Sequence, residues 1–244
     1  MAHAFASQNE LGRLCDEGVY QNDIALRLKA AGLGPVATEV PLSVSLRDFS
    51  KTYRLDLVVQ ESFIVELKTV LALLAEHDAQ LLNYLLMAGA LHGKLINLRP
   101  ASVEYRTVNA VVSEAERRRV RFVTERWRPQ TSQCELLRDI LSELFVAWGA
   151  FLDSNLYQEG LIHFLGGESE VLQKVPLKRA GTILGTQTVP VIADSIGFRL
   201  TALAPEARDG YEPHLHRLLA LTPLAAVHWI NLHHHETQLV TIKR

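Results

Sequence analysis

Cysteine is scarce in this 244-residue sequence: Cys15 and Cys134 can form one bridge at most. No disulfide framework is possible, and a reducing cytoplasm is the expected compartment. No apolar run approaches the roughly 18 residues of a membrane-spanning helix, so no membrane partner is expected. The opening MAHAFASQNE has no basic stretch followed by an apolar core and is not read as a secretory signal. Neither sign of charge dominates. The formal net charge of −2 excludes a protein that coats nucleic acid by charge alone, although it leaves room for a local basic surface. Low-complexity and Gly/Ser-rich stretches are absent, which excludes disorder and argues that any two domains are docked rather than loosely tethered.

Hydrophobic residues make up 48% of the chain, enough for one large core or two smaller ones. Residues 1–112 carry ten Lys and Arg against twelve Asp and Glu, and residues 131–244 nine against twelve. Residues 113–130 between them carry six arginines and three glutamates, a boundary between two acidic halves. In the first half a broad apolar face predicts a helix over 9–32. Alternation predicts a strand over 38–46, and a hairpin follows over 53–59 and 63–68. A helix over 74–91 and strands over 94–98 and 103–111 complete the order α-β-β-β-α-β-β.

The second half repeats this order. Val19-Tyr20-Gln21 matches Leu156-Tyr157-Gln158, Glu39-Val40-Pro41-Leu42 matches Lys174-Val175-Pro176-Leu177, and Leu95-Ile96-Asn97-Leu98 matches Trp229-Ile230-Asn231-Leu232. The blocks are collinear, as a tandem duplication would leave them. Two such halves would pack as a pseudo-dimer. A strongly periodic helix over 133–152 lies between them.

The chemistry concentrates in the first hairpin. On the strand Ile64-Val65-Glu66-Leu67-Lys68, Glu66 and Lys68 share one face, and the turn at 60–62 can bring Asp56 near them. Two carboxylates and an ammonium at one end of an apolar hairpin suit a hard divalent cation, Mg²⁺ foremost, and metal-assisted hydrolysis of a phosphodiester. The same residues can equally be a strand pair whose polar side chains face water. The hydrophobic setting favours the functional reading, because an unpaired charge there would be costly.

From Leu11 to about Val111 the chain resembles the GxxExxY protein family, a branch of the PD-(D/E)XK nuclease superfamily. The resemblance rests on Leu11 to Tyr20, Val40-Pro41-Leu42, Leu55-Asp56, Val65-Glu66-Leu67-Lys68, His77 to Leu85 with Gln80 and Tyr84, and Leu95-Ile96-Asn97. It departs at Leu14, where the family has its glycine, and at Leu55, where the superfamily often has proline. The resemblance implies that Asp56 and Glu66 ligate Mg²⁺ or Mn²⁺ and that Lys68 is the catalytic lysine. It implies that Glu17 is an auxiliary acid reaching the metal directly or through water. Gln80 would lie beside the active site. Tyr84 and Tyr20 would contact substrate, with half-buried packing as the other reading of both. Spacing alone puts Gln80 and Tyr84 on one helical face.

On the repeat alignment Glu17 falls on Ser154, Asp56 on Ile192 or Ala193, Glu66 and Lys68 near Thr201 and Leu203, Gln80 on His214, and Tyr84 on Leu218. The second copy is therefore expected to be non-catalytic. His233-His234-His235 is adjacent in sequence and has no spaced Cys or acidic partner, a poor pattern for a metal site. The arginine run from Arg117 to Arg128, interleaved with Phe122 and Trp127, reads either as a guide for a nucleic-acid strand or as a charged face paired with Glu114, Glu116 and Glu125.

The expected architecture is α/β: two tandem PD-(D/E)XK (restriction-endonuclease-like) units in pseudo-dimeric arrangement, each a mixed central sheet flanked by helices. Residues 1–112 would be the intact nuclease-like domain, 113–132 an Arg-rich junction and 133–244 a degenerate repeat. The expected function is a metal-dependent nuclease, with nucleic acid as the partner and DNA ahead of RNA. The alternative is a catalytically inactive module that binds nucleic acid or a protein. A homo-oligomer formed through the duplicated surface is a third reading.

Overall fold

The computed structural model describes residues 1–244 and divides into two compact units, Met1–Glu114 and Ala115–Arg244. The first contains α1 (Ala2–Leu11), α2 (Glu17–Ala30), β1 (Val36–Leu46), β2 (Phe49–Val59), β3 (Phe63–Lys68), α3 (Ala75–Ala88), β4 (His92–Asn97) and β5 (Glu104–Asn109). The single helix expected over 9–32 is in fact two. Gly12 breaks it at φ 74°, a left-handed conformation that glycine adopts without steric cost, and its N–H still closes α1 on the Gln8 carbonyl. The chain re-enters a helix at Glu17.

The five strands lie in the order β1-β2-β3-β4-β5. Every pair is antiparallel except β3–β4, which is parallel and bridged by α3 as the crossover. A parallel pair needs such a crossover, so the helix between β3 and β4 is what brings Asn97 opposite Lys68. One core gathers Tyr20, Ile24 and Ala25 of α2 with Leu57, Val65, Leu67 and Ile96 of the sheet. Leu67 is fully buried there, so Glu66 and Lys68, its neighbours on the pleat, point to the sheet face opposite that core.

The second unit contains α4 (Glu114–Arg117, which begins at the boundary), β6 (Arg121–Arg126), α5 (Ser132–Trp148), α6 (Ser154–Phe164), α7 (Glu168–Val171), β7 (Leu172–Arg179), β8 (Thr182–Ala193), β9 (Ile196–Thr201), α8 (Pro205–Leu221), β10 (Ala226–His233) and β11 (Glu236–Lys243). Its sheet runs β6-β11-β10-β9-β8-β7. Read from β7 to β11, strand order and pairing senses are those of β1 to β5, with β9–β10 the parallel pair and α8 its crossover. Two side-chain devices recur as well. Tyr20 donates to the Gly12 carbonyl and Tyr157 to that of Gly149, each across eight residues. Asn97 brackets the backbone N–H and C=O of Val70, and Asn231 brackets those of Leu203.

The Arg-rich segment does not run free. Its residues 121–126 form β6, parallel to β11. Arg117 is buried and donates to the carbonyls of Trp148 and Ala150. Arg121 pairs with Glu236, and Arg126 holds Glu212 with both nitrogens. The glutamates that Arg121 and Arg126 bind are distant in sequence, brought in by β11 and α8. Trp127 is buried against the His228 ring and offers no free stacking face, and the half-buried Phe122 meets Phe145 edge-on.

Candidate active site in the first unit

The expected residues come from three elements. β2 brings Asp56, β3 brings Glu66 and Lys68, and the first turn of α2 brings Glu17. Asp56 Oδ2 accepts the backbone N–H of Leu67 at 2.7 Å, so β2 is pinned to β3 by a carboxylate where the backbone ladder between them has ended at Leu57–Val65. Lys68 Nζ donates to Glu66 Oε1 at 2.6 Å. Glu66 is 2% exposed, and its Oε2 has no hydrogen-bond partner.

Burial and crowding set the electrostatics. Burial lifts the Glu66 carboxyl to about 7; the nearby Asp56 and Glu17 push the same way, and Lys68 opposes them. Asp56 is raised by burial against the Leu67 N–H and Lys68. Glu17 is raised by burial and by Asp56, against Lys68 and the Thr69 N–H. Burial pulls the Lys68 ammonium down, but Glu66, Glu17 and Asp56 outweigh it and leave it above its ordinary value.

Two residues that the sequence reading passed over belong to this cluster. Gln21 Nε2 donates to the Asp56 carbonyl and to Glu39 Oε1, both at 3.0 Å. Glu39 acts electrostatically on Glu17 and Asp56, and it sits at φ 51°, an uncommon conformation for a non-glycine residue within a strand. Asn97, which the resemblance includes without a role, is the third. It is fully buried and bonded to both Val70 and Glu104, and it shapes the segment that leaves β3.

Gln80 Nε2 donates to the Tyr84 hydroxyl at 2.9 Å, as the one-face spacing predicts. Tyr84 is buried, touches the Tyr53 ring, and feels Glu66, Lys68 and Asp56 electrostatically. Tyr20 takes the packing alternative: it is 0% exposed, and its hydroxyl donates to the Gly12 carbonyl at 2.7 Å, which ties α1 to α2. Beyond Lys68 an open cavity of about 580 Å³ is lined by Thr69, Val70, Leu71, His77 and Arg99 among others.

By donor type, the set suits a hard divalent cation. A buried carboxylate oxygen stands unpartnered, the other donors are carboxylate oxygens, and the Lys68 ammonium faces three acids, Glu66, Glu17 and Asp56. No three His, Cys, Asp or Glu side chains converge tightly enough to hold one ion as a set, either here or at His233-His234-His235.

No curated protein matches the chain. A solved structure titled "Crystal structure of SSO0001" is 25% identical with a TM-score of 0.30, over 40% of this chain and 53% of its own. The chain thus spans about half the length of that structure. Residues 1–108, which contain Glu17, Asp56, Glu66, Lys68 and Gln80, match the family model described as the PD-(D/E)XK nuclease superfamily.

Proposed function

We propose that the first unit is a metal-dependent nuclease that hydrolyses phosphodiester bonds, with DNA ahead of RNA as substrate, within the GxxExxY branch that the sequence resembles. The observation that carries this reading is Glu66. It is a buried carboxylate with one oxygen paired to Lys68 and the other unpartnered, surrounded by Asp56 and Glu17. A structural ion pair would need only Glu66 and Lys68. The additional acids raise one another's proton affinity and are costly without a cation.

Asp56 and Glu66 would hold Mg²⁺ or Mn²⁺, with Glu17 reaching it directly or through water. Bound there, the ion would supply Lewis-acid stabilisation of phosphate charge and lower the pKa of a water. Asp56 keeps its aim because Leu67 and Gln21 fix its carboxylate and its backbone. Lys68 is held cationic and can stabilise charge developing on phosphate or orient the attacking water. Gln80 and Tyr84 present one hydrogen-bonded pair beside the acids. Arg99 and His77 line the adjoining cavity where a strand can lie.

The second unit is read as a degenerate repeat covering 133–244, on the shared strand order and the two recurring side-chain devices. A pseudo-dimeric origin follows from that reading. Cys15 and Cys134 are both free, which supports a reducing cytoplasm, and no helix is long and apolar enough to cross a membrane. One observation favours the non-cutting alternative: no three acids converge tightly on one point.

The test is cleavage of labelled single- and double-stranded DNA and RNA in Mg²⁺, Mn²⁺ or EDTA, with Glu66→Gln beside the wild type. Cleavage that requires both the metal and Glu66 establishes the enzyme. Absence of cleavage, together with absence of metal-induced stabilisation, assigns the unit to the binding-module reading.

A further inference from the structure

Asn97 and Asn231 put the two sheets in common register, because each brackets the backbone just beyond the preceding parallel strand. Asn97 lies opposite Lys68 and Asn231 opposite Thr201. Glu66 therefore corresponds to Arg199, two residues earlier on the same face. Across the next pair, Val58 opposite Ile64 corresponds to Val191 opposite Gly197. Asp56 then corresponds to Val189. The sequence alignment set Glu66 and Lys68 near Thr201 and Leu203 and Asp56 on Ile192 or Ala193, two to four residues further along. The structural register changes the outcome: the acid at the centre of the first site is an arginine in the second.

Val189 and Arg199 line a cavity of about 280 Å³ beneath α8, together with Gln187, Phe198, Tyr211 and His214. No Asp or Glu lines it. Arg199 is exposed and has no ion-pair or hydrogen-bond partner in the chain. The guanidinium thus keeps its fork of donors free, and that fork matches the oxygens of a phosphate. Gln187 and His214 add further polar groups, while Leu218 and the Tyr211 ring, both half-buried, supply an apolar wall. The volume is at the low end for small-ligand sites, the size of one nucleotide unit.

We propose that this cavity of the second unit binds a phosphate ester of nucleotide size, with Arg199 holding the phosphate and the Tyr211–Leu218 wall taking the organic body. The shared chemistry can come from a free mononucleotide or from a phosphorylated strand end. It requires no cleavage and no metal, so it stands or falls apart from the function proposed for the first unit.

All three tryptophans, Trp127, Trp148 and Trp229, lie in the second unit, and Trp229 is 5.4 Å from the Tyr211 ring, so tryptophan emission reports this unit. The full chain in EDTA would be titrated with inorganic phosphate, a mononucleotide and a short 5′-phosphorylated oligonucleotide. Arg199→Gln and His214→Ala would be run beside the wild type. The expected result is a saturable emission change with at least one ester, weakened about tenfold or more in Arg199→Gln and by a smaller factor in His214→Ala. A response to the mononucleotide assigns the free source; a response to the oligonucleotide alone assigns the strand end. Three results would overturn the proposal: no saturable response at millimolar ligand, binding of inorganic phosphate alone, or equal binding by the wild type and Arg199→Gln.

Discussion

Glu66 and Lys68 lie two residues apart on one strand and meet at 2.6 Å, yet the carboxylate oxygen turned away from Lys68 has no partner. The pair therefore leaves Glu66 half satisfied in a buried setting. Its proton affinity rises to about 7 as a direct consequence.

This has a measurable effect on stability in EDTA. A carboxyl with a raised folded-state pKa binds its proton more tightly in the folded chain than in the unfolded one. Its contribution is most favourable below the unfolded value near 4.5 and is lost as pH rises through about 7. Asp56 and Glu17 are raised too and act in the same direction. Denaturant unfolding at several pH values should show stability falling across this window by on the order of a few kcal/mol. Glu66→Gln should flatten most of that slope. A wild-type profile that rises with pH across the window would refute this account of Glu66.

Adding Mn²⁺ should reverse the trend at neutral pH. A cation that binds only the folded chain stabilises it by about 2.7 kcal/mol at a hundredfold excess over its dissociation constant. Asp56→Asn removes one of the two central carboxylates and should abolish the thermal shift together with cleavage. An undiminished shift in Asp56→Asn would place the ion elsewhere.

Much of this geometry was legible in the sequence, and the failures have physical causes. β3 matches its expected span, because a short apolar run after a turn allows few alternatives. The α1–α2 break was missed because Gly12 can adopt positive φ within a pattern that otherwise stays helical. Glu39 and Gln21 were invisible because their roles depend on contacts across 18 to 35 residues of chain or on an unusual backbone angle; Gln21 reaches both Glu39 and the Asp56 carbonyl. Arg121 and Arg126 could not be read locally, since their partners Glu236 and Glu212 are about a hundred residues away. The repeat register slipped because apolar words align strands only loosely, whereas the Asn97 and Asn231 brackets fix it to the residue.

Those brackets make a prediction of their own. Asn97→Ala would leave the Val70 N–H and C=O without their partner and free the segment lining the 580 Å³ cavity. We expect a loss of about 1–3 kcal/mol, together with reduced cleavage. Asn231→Ala should cost a similar amount through Leu203 and leave cleavage rates unchanged. Equal damage to cleavage by both would show that the two brackets are not independent.

The two tyrosine–glycine links separate backbone strain from steric contact. Gly12 and Gly149 share φ 74°, so alanine is strained at both. A Cβ at Gly12 would meet nothing within 4 Å, whereas one at Gly149 would lie 3.0 Å from Arg117 Cβ. Gly12→Ala should therefore cost about 1 kcal/mol from the backbone alone. Gly149→Ala should cost more, because it also presses on the buried Arg117 that bonds the Trp148 and Ala150 carbonyls. Tyr20→Phe, which removes only the hydrogen bond to Gly12, should cost about 1 kcal/mol and leave substrate affinity unchanged. Chemical denaturation of the three variants orders these costs. A Tyr20→Phe protein with normal stability but weakened substrate binding would restore Tyr20 to the site.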